Sequence, residues 1–122
     1  MKSKILIVDD EELICEVTKE MVEILGFVAF TATSYNEAEK CFKSHHDEIA
    51  MALIDYNIPD SSGVEILNLL KSIDDDFIPI LATGMYVKSD ISKYQDMGFL
   101  EVIDKPFGMD VLKRIINKYI KG

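Results

Sequence analysis

Apolar runs alternate with helical patterns from one end of the chain to the other. "KILIV" reads as a strand, and the segment after it places Leu13, Val17, Met21, Ile24 and Leu25 at helical spacing. Glu11 and Glu12 fall in the first turn of that helix and Gly26 just past its end, both favourable positions. "VAFTA" is a second strand. "SYNE" then offers a capping box, Ser34 with Glu37, opening a helix through Ala38, Cys41 and Phe42. "MALID" is a third strand, and Ser62 with Glu65 repeats the capping box ahead of Ile66, Leu67 and Leu70. "IPILA" is a fourth strand, and Ile91, Tyr94 and Gln95 lie on a fourth helix. "FLEVI" is a fifth strand, and the last helix carries Val111, Leu112, Ile115, Ile116 and Tyr119. Five β-then-α units with no linker between them predict a parallel sheet covered on both faces.

The pattern also orders the strands. "ILIV", "ALI" and "IPILA" are nearly continuous apolar runs, as central parallel strands are. The second strand ends in small and polar residues and the fifth carries Glu101, so these two suit the edges. Right-handed crossovers then give the order 2-1-3-4-5. Strands 1 and 3 become neighbours at the topological switch point, where open α/β sheets place ligands beyond the carboxyl ends of the strands.

What the sequence puts at those ends is chemistry. Strand 1 ends in Asp9 and Asp10, strand 3 in Asp55, strand 4 in Thr83-Gly84, and strand 5 runs through Asp104 into Lys105-Pro106. A charge at the end of a buried strand is costly to desolvate. Three carboxylates at close range would repel one another and raise at least one pKa. A hard divalent cation relieves that, and Mg²⁺ suits a site with few carboxylates and several waters. With Lys105 to neutralise charge and Thr83 to donate a hydrogen bond, the layout is one for moving a phosphoryl group, with Asp55 as nucleophile. Each piece alone is weak. Asp-Asp after a strand is often a helix cap, Lys-Pro is usually a turn, and Thr-Gly can be turn chemistry. The specificity lies in all of them ending strands 1, 3, 4 and 5.

Composition narrows the class. At 122 residues the chain has the length of one domain, expected to span 1–122, with the composition of a soluble globular protein. The net charge of −9, without a local Lys/Arg cluster, argues against direct nucleic-acid binding. Cys15 and Cys41 lack metal-ligand spacing and sit among apolar helix positions, so both are expected to be buried reduced thiols. The apolar run of "MKSKILIVDD" is too short for a signal-peptide core, and no segment has membrane-spanning length, so no membrane insertion and a cytoplasmic location are expected.

With "ILIVDDEE", "ALIDYNIPDSSG", "ILATG" and "DKPF" in view, the chain resembles the receiver domain of two-component response regulators over essentially its whole length. The resemblance implies a flavodoxin-like (βα)5 three-layer sandwich. By it, Asp55 is the phospho-acceptor, Asp10 a direct Mg²⁺ ligand, Asp9 an acidic partner acting through metal-bound water, and Asn57 the donor of a backbone carbonyl to the metal. Thr83 would bind the phosphoryl oxygens, Lys105 would ion-pair with them, and the Lys105–Pro106 bond would be cis. The implied partners are a histidine kinase or histidine phosphotransfer protein as donor and a downstream protein target, with hydrolysis as the off-step. One position departs from the family pattern. An aromatic residue often stands three before the lysine and swings inward as the threonine moves, and here that residue is Val102. Tyr86 and Phe99 are nearby aromatics with no argument for substituting. Met85 offers no charged group to orient a hydrolytic water.

Other features read as structural. His45 and His46 sit near the end of the second helix, where imidazolium favours the dipole, outside any kinase-like context. The methionines are scattered, and "DDD", Asp74 to Asp76, reads as a solvated turn at the end of the sheet opposite the site. With no residues left after the fifth helix, a stand-alone regulator or a receiver excised from a longer protein such as a hybrid histidine kinase is expected. Competing readings are a degenerate receiver that binds partners without phosphorylation and an Mg²⁺-dependent aspartyl-phosphate phosphatase. The latter wants an aspartate two residues after the nucleophile, where this chain has Asn57. A flavin-binding protein would want a phosphate loop after strand 1, and "DDEEL" would repel a phosphate.

Overall fold

A computed structural model describes residues 2–58, 61–84 and 90–120. Among these, the strands β1 (Lys4–Val8), β2 (Ala29–Ala32), β3 (Ile49–Asp55), β6 (Ile78–Thr83) and β7 (Glu101–Asp104) form a parallel sheet in the order β2-β1-β3-β6-β7. A two-residue antiparallel ladder, β4 (Asn57–Ile58) with β5 (Ser61–Ser62), intervenes in the chain. Counting the sheet strands alone, this is the order 2-1-3-4-5 that the apolar runs predict. The helices are α1 (Glu12–Ile24), α2 (Tyr35–His45), α3 (Gly63–Ile73), α4 (Ile91–Asp96) and α5 (Met109–Tyr119).

The alternation of strand side chains divides the core into two layers. Leu6, Val8, Ala52, Ile54 and Leu81 face Phe42 of α2, Ile66, Leu67 and Leu70 of α3, and Tyr94 of α4. Ile5, Ile7, Met51, Leu53 and Ile80 face Cys15 and Val22 of α1 and Leu112, Ile115 and Ile116 of α5. Both faces of the central strands are thus covered, which is why their sequences are continuously apolar. No helix among the described residues is long and apolar enough to cross a membrane.

Caps form where the sequence places them. Ser34 Oγ accepts from Glu37 N at 3.2 Å and Ser62 Oγ from Glu65 N at 3.2 Å. Glu37 turns its carboxylate back one residue further than a capping box requires, to Thr33 N at 2.8 Å and Thr33 Oγ1 at 2.9 Å. Gly26 closes α1 at φ +93, its N–H donating to Glu23 O at 2.9 Å.

Four expectations are corrected. The buried face of α1 is Cys15, Thr18 and Val22. Of the residues expected inside, Leu13 is 68% and Ile24 74% exposed, Val17 is exposed, and only Met21 and Leu25 are partly buried. The helix carries two overlapping apolar stripes, and packing on the sheet selects the one with the smaller side chains. The fifth strand begins at Glu101, with Phe99 buried in the turn before it. Cys15 is a buried free thiol as expected, whereas Cys41 is half-buried.

The fourth correction concerns the acidic turn after α3. Asp74 is not freely solvated: its carboxylate accepts from Lys2 Nζ at 2.9 Å and lies 2.8 Å from His46 Nδ1. These contacts, His46 first and then Lys2, hold its carboxyl well below the usual carboxylate range. Beside it, Lys4 Nζ meets Glu48 at 2.6 Å, and His45 lies 3.2 Å from the same carboxylate while stacking on Phe30. The two histidines therefore tie the end of α2 to the floor of the sheet. A carboxyl whose folded pKa is depressed contributes stability above its unfolded pKa and loses it as pH falls through the folded value. Asp74→Ala is therefore expected to lower stability at pH 7 by on the order of 1 kcal/mol, and by progressively less in strong acid. Thermal melts at the two pH values check this, and equal melting temperatures at pH 7 would restore the solvated turn.

Candidate functional site

Register brings the predicted residues level. Val8 pairs with Ile54, Asp55 with Ala82 and Thr83 with Asp104, so β1, β3, β6 and β7 end together along one edge. Asp9 follows β1 directly and is buried at 4% exposure, whereas Asp10 is exposed. Asp55 closes β3 at 8% exposure, and Thr83 closes β6 at 1%. Lys105 follows β7, its N–H donating to Thr83 O at 3.0 Å, and the Lys105–Pro106 bond is cis.

The side chains converge. Asp9, Asp10 and Asp55 each offer a carboxylate oxygen, and these oxygens all lie within 4.8 Å of one another. Lys105 Nζ donates to Asp9 Oδ2 at 2.7 Å and stands 3.5 Å from Asp55 Oδ1. Asp9 is held from three sides. Its other oxygen accepts from Glu11 N at 3.0 Å, and its carbonyl accepts from the buried Cys15 thiol at 3.3 Å. The cap reading of the Asp-Asp pair is thus realised in part, because Glu11 is the N-cap of α1 and supplies no side-chain cap of its own. Burial, and then the Asp9 charge, push the Cys15 thiol up to about 11, so it acts as a structural donor and not as a nucleophile.

Crowding shows in the titration of Asp55. Burial, and then the charge of Asp9, push its pKa up to about 6 against the opposing pull of Lys105, with Asp10 adding to the rise. Burial draws Lys105 downward, but its hydrogen bond to Asp9 and the charges of Asp55 and Asp9 outweigh that and leave it raised. Hard oxygen donors, clustered and carrying more negative charge than one lysine neutralises, fit a divalent cation such as Mg²⁺.

Asp9, Asp10, Asp55 and Lys105 are brought into one group, with Thr83 at the adjoining strand end. Asn57 lies two residues past Asp55, exposed, paired with Ser62 in the short ladder. Met85 and Tyr86 lie outside the described residues. Phe99 is buried in the core and Val102 half-buried in the same layer. Two features escaped the sequence reading. One is that Lys105 rests on Asp9 more closely than on Asp55. The other is Gly63, whose N–H donates to Tyr56 O at 2.8 Å. A Cβ there would stand 2.7 Å from the Asp55 carbonyl oxygen and 3.1 Å from Tyr56 Cα. Any larger residue must push on the backbone that carries Asp55. The available signal was a glycine directly after the Ser62 cap, eight residues past that aspartate.

A buried acid with a raised pKa opposes folding once pH exceeds its unfolded value. For metal-free protein the penalty sets in as pH climbs through 3.8 and is complete above about 6. Asp55→Asn, measured by melting in chelator, is therefore expected to stabilise the chain by about 1–2 kcal/mol at pH 7.5, a value reduced for solvent screening at the mouth. The gain should shrink towards acid, and a pH-independent gain would mean the cost is not one of charge.

Comparison with known proteins agrees with this geometry. The sequence pattern of the family described as response regulator receiver domain matches residues 5–117. The chain is 30% identical to sporulation initiation phosphotransferase F of Bacillus subtilis, over 98% of this chain and 95% of the relative. It is 28% identical to the polar-differentiation response regulator DivK of Brucella ovis, over 98% of each. Among solved structures it superposes on a response regulator receiver domain protein from Clostridium thermocellum with a TM-score of 0.88 at 30% identity, covering 97% of this chain and 94% of that one.

Proposed function

The chain belongs to the response regulator receiver family of two-component signalling, and from that premise we propose that it is a phosphorylation-controlled switch, residues 1–122 forming one receiver domain, with Asp55 as the phospho-acceptor. The observation that carries this reading is the convergence of Asp9, Asp10 and Asp55 with Lys105 on one sheet edge.

A phosphohistidine on a kinase or phosphotransfer protein is the donor. An Asp55 carboxylate oxygen forms the new bond to phosphorus while the bond to the imidazole nitrogen breaks and its electron pair stays with the ring. Asp10, Asp55 and the Asn57 carbonyl would hold Mg²⁺, with Asp9 acting through metal-bound water. When bound, the cation screens the phosphoryl oxygens and offsets the repulsion that lifts Asp55. Lys105 leaves Asp9 to pair with the new phosphoryl charge, and Thr83 donates its hydroxyl to the same group. Hydrolysis of the acyl phosphate resets the switch. That one relative is named a phosphotransferase supports a role in passing phosphoryl groups between proteins. A downstream protein reads the phosphorylated state, and the exchange takes place in the cytoplasm.

Incubation with acetyl phosphate and Mg²⁺, followed by intact-protein mass, tests the core of this reading. One phosphoryl gain is expected that needs Mg²⁺ and disappears in Asp55→Asn. No gain under conditions that label an ordinary receiver would leave a degenerate, partner-binding domain.

The donor must also be held. Helix α1 leaves Leu13, Val17 and Ile24 exposed at helical spacing. Val17, with Ile14 and Met21, lines a groove whose far wall is Lys105, Pro106 and Phe107, so this patch borders the mouth of the site. Val17→Asp is expected to leave labelling by phosphoramidate, a small phosphorus–nitrogen donor, unchanged. Transfer from a phosphorylated histidine phosphotransfer protein should slow by roughly tenfold, the loss of one good apolar contact. Equal slowing with both donors would place the defect in the site instead.

A further inference from the structure

Helix α4 is anchored unlike its neighbours. Its six residues, Ile91–Asp96, are all described, and among them only Tyr94 is buried. Asp90 caps it without a side-chain hydrogen bond, as Glu11 and Gly108 cap α1 and α5, but those helices are 13 and 11 residues long and bury three side chains each. The seat of this helix on the sheet therefore depends largely on one ring. Short elements with few buried side chains shift at the least cost in free energy.

That ring packs edge-on against Tyr56, with centroids 5.5 Å apart and planes at 65°. Tyr56 is the residue bonded directly to Asp55. Its carbonyl is held by Gly63 N at 2.8 Å, and the next residue enters the Asn57–Ser62 ladder. The root of the Tyr56 ring is thus fixed to the phospho-acceptor on one side and to a clamped backbone on the other. Its ring meets the one buried side chain of α4. Tyrosine transmits displacement well because it has only two rotatable side-chain bonds and a rigid ring. Val102 shares this apolar layer but has no ring to reach across it.

We propose that the Tyr56–Tyr94 contact is the link by which the charge state of Asp55 repositions α4, both tyrosines serving as positioning residues. This rests on Asp55 being the phospho-acceptor. A phosphoryl group adds about −1.5 to −2 charge beside Asp9 and Asp10, and the backbone of Asp55 and Tyr56 must accommodate it. The shift reaches α4 through the two rings, and spatial proximity alone would not establish such coupling without a response that both ends share.

The experiment uses the full chain with Mg²⁺ and beryllofluoride as phosphoryl mimic, reading amide hydrogen exchange at residues 91–97. Adding the mimic is expected to change exchange there by roughly fivefold or more in the wild-type chain. In Tyr56→Leu the ratio with and without mimic should fall towards one, although acetyl phosphate still labels the variant by mass. Tyr56→Phe, which keeps the ring, should respond like wild type. Tyr94→Leu should lose the response, and the double variant should lose no more than either single one. A purely structural role would raise exchange in both states and leave the ratio unchanged. That result, or a labelled Tyr56→Leu with a full α4 response, overturns the proposal. Failure of the wild-type chain to take up any phosphoryl group would instead strike at the phospho-acceptor reading, and the link would fall with it.

Discussion

The constraint on which everything else depends is the crowding of three carboxylates at the ends of buried parallel strands. Burial and the charge of Asp9 both oppose ionisation of Asp55, and one ammonium group, Lys105, offsets only part of that cost. A site held in this condition is poised for a cation and for a charge-rich ligand that the lysine can follow. The rest of the fold must be stable enough to carry it. Continuous apolar strands covered on both faces supply that stability, and the polar residues of the site sit at or just past the last paired positions of those strands, where they do not interrupt the core.

Much of this was legible along the chain because two periods carry it. Apolar runs marked the strands and their centrality, and the strand order followed from edge composition and crossover handedness. Once the order was known, the ends of strands 1, 3, 4 and 5 had to adjoin, so Asp9, Asp10, Asp55, Thr83 and Lys105 could be grouped before any distance was measured. The failures share one physical cause. Which of two apolar stripes α1 buries depends on the shape of the sheet beneath it, not on spacing, and so Leu13 and Ile24 end up outside while Thr18 goes in. Asp74 looked like one of three equivalent acids because its partners, Lys2 and His46, are distant in sequence.

Distances within the site belong to the same class of hidden information. Residue type says that Lys105 can neutralise a carboxylate, but not that it rests on Asp9 at 2.7 Å. In that position it balances Asp9 and leaves Asp55 only partly compensated. Gly63 is similar: a glycine after a serine cap has many explanations, and only the backbone of Asp55 passing beneath it selects one. The absence of a side chain at that position is therefore as much a part of the site as the carboxylates.

Anchorage is unevenly distributed, and the unevenness has a direction. At the floor of the sheet, Lys2, Lys4, His45, His46, Glu48 and Asp74 tie β1, α2, β3 and the end of α3 together through side-chain contacts. On the far edge, Glu101 is gripped by Arg114 at 2.7 Å and by the Tyr119 hydroxyl at 2.8 Å, which fastens β7 to α5. Between these fixed regions, α4 is six residues long and has one buried side chain, the Tyr94 ring. A disturbance at Asp55 meets a clamped ladder on one side, the Asp9–Lys105 pair on another and the Tyr56 ring on a third. Displacement goes where resistance is least, and in this fold that direction is towards α4. The fold thereby gives a local change of charge a preferred outlet, which a uniformly rigid domain of the same topology would lack.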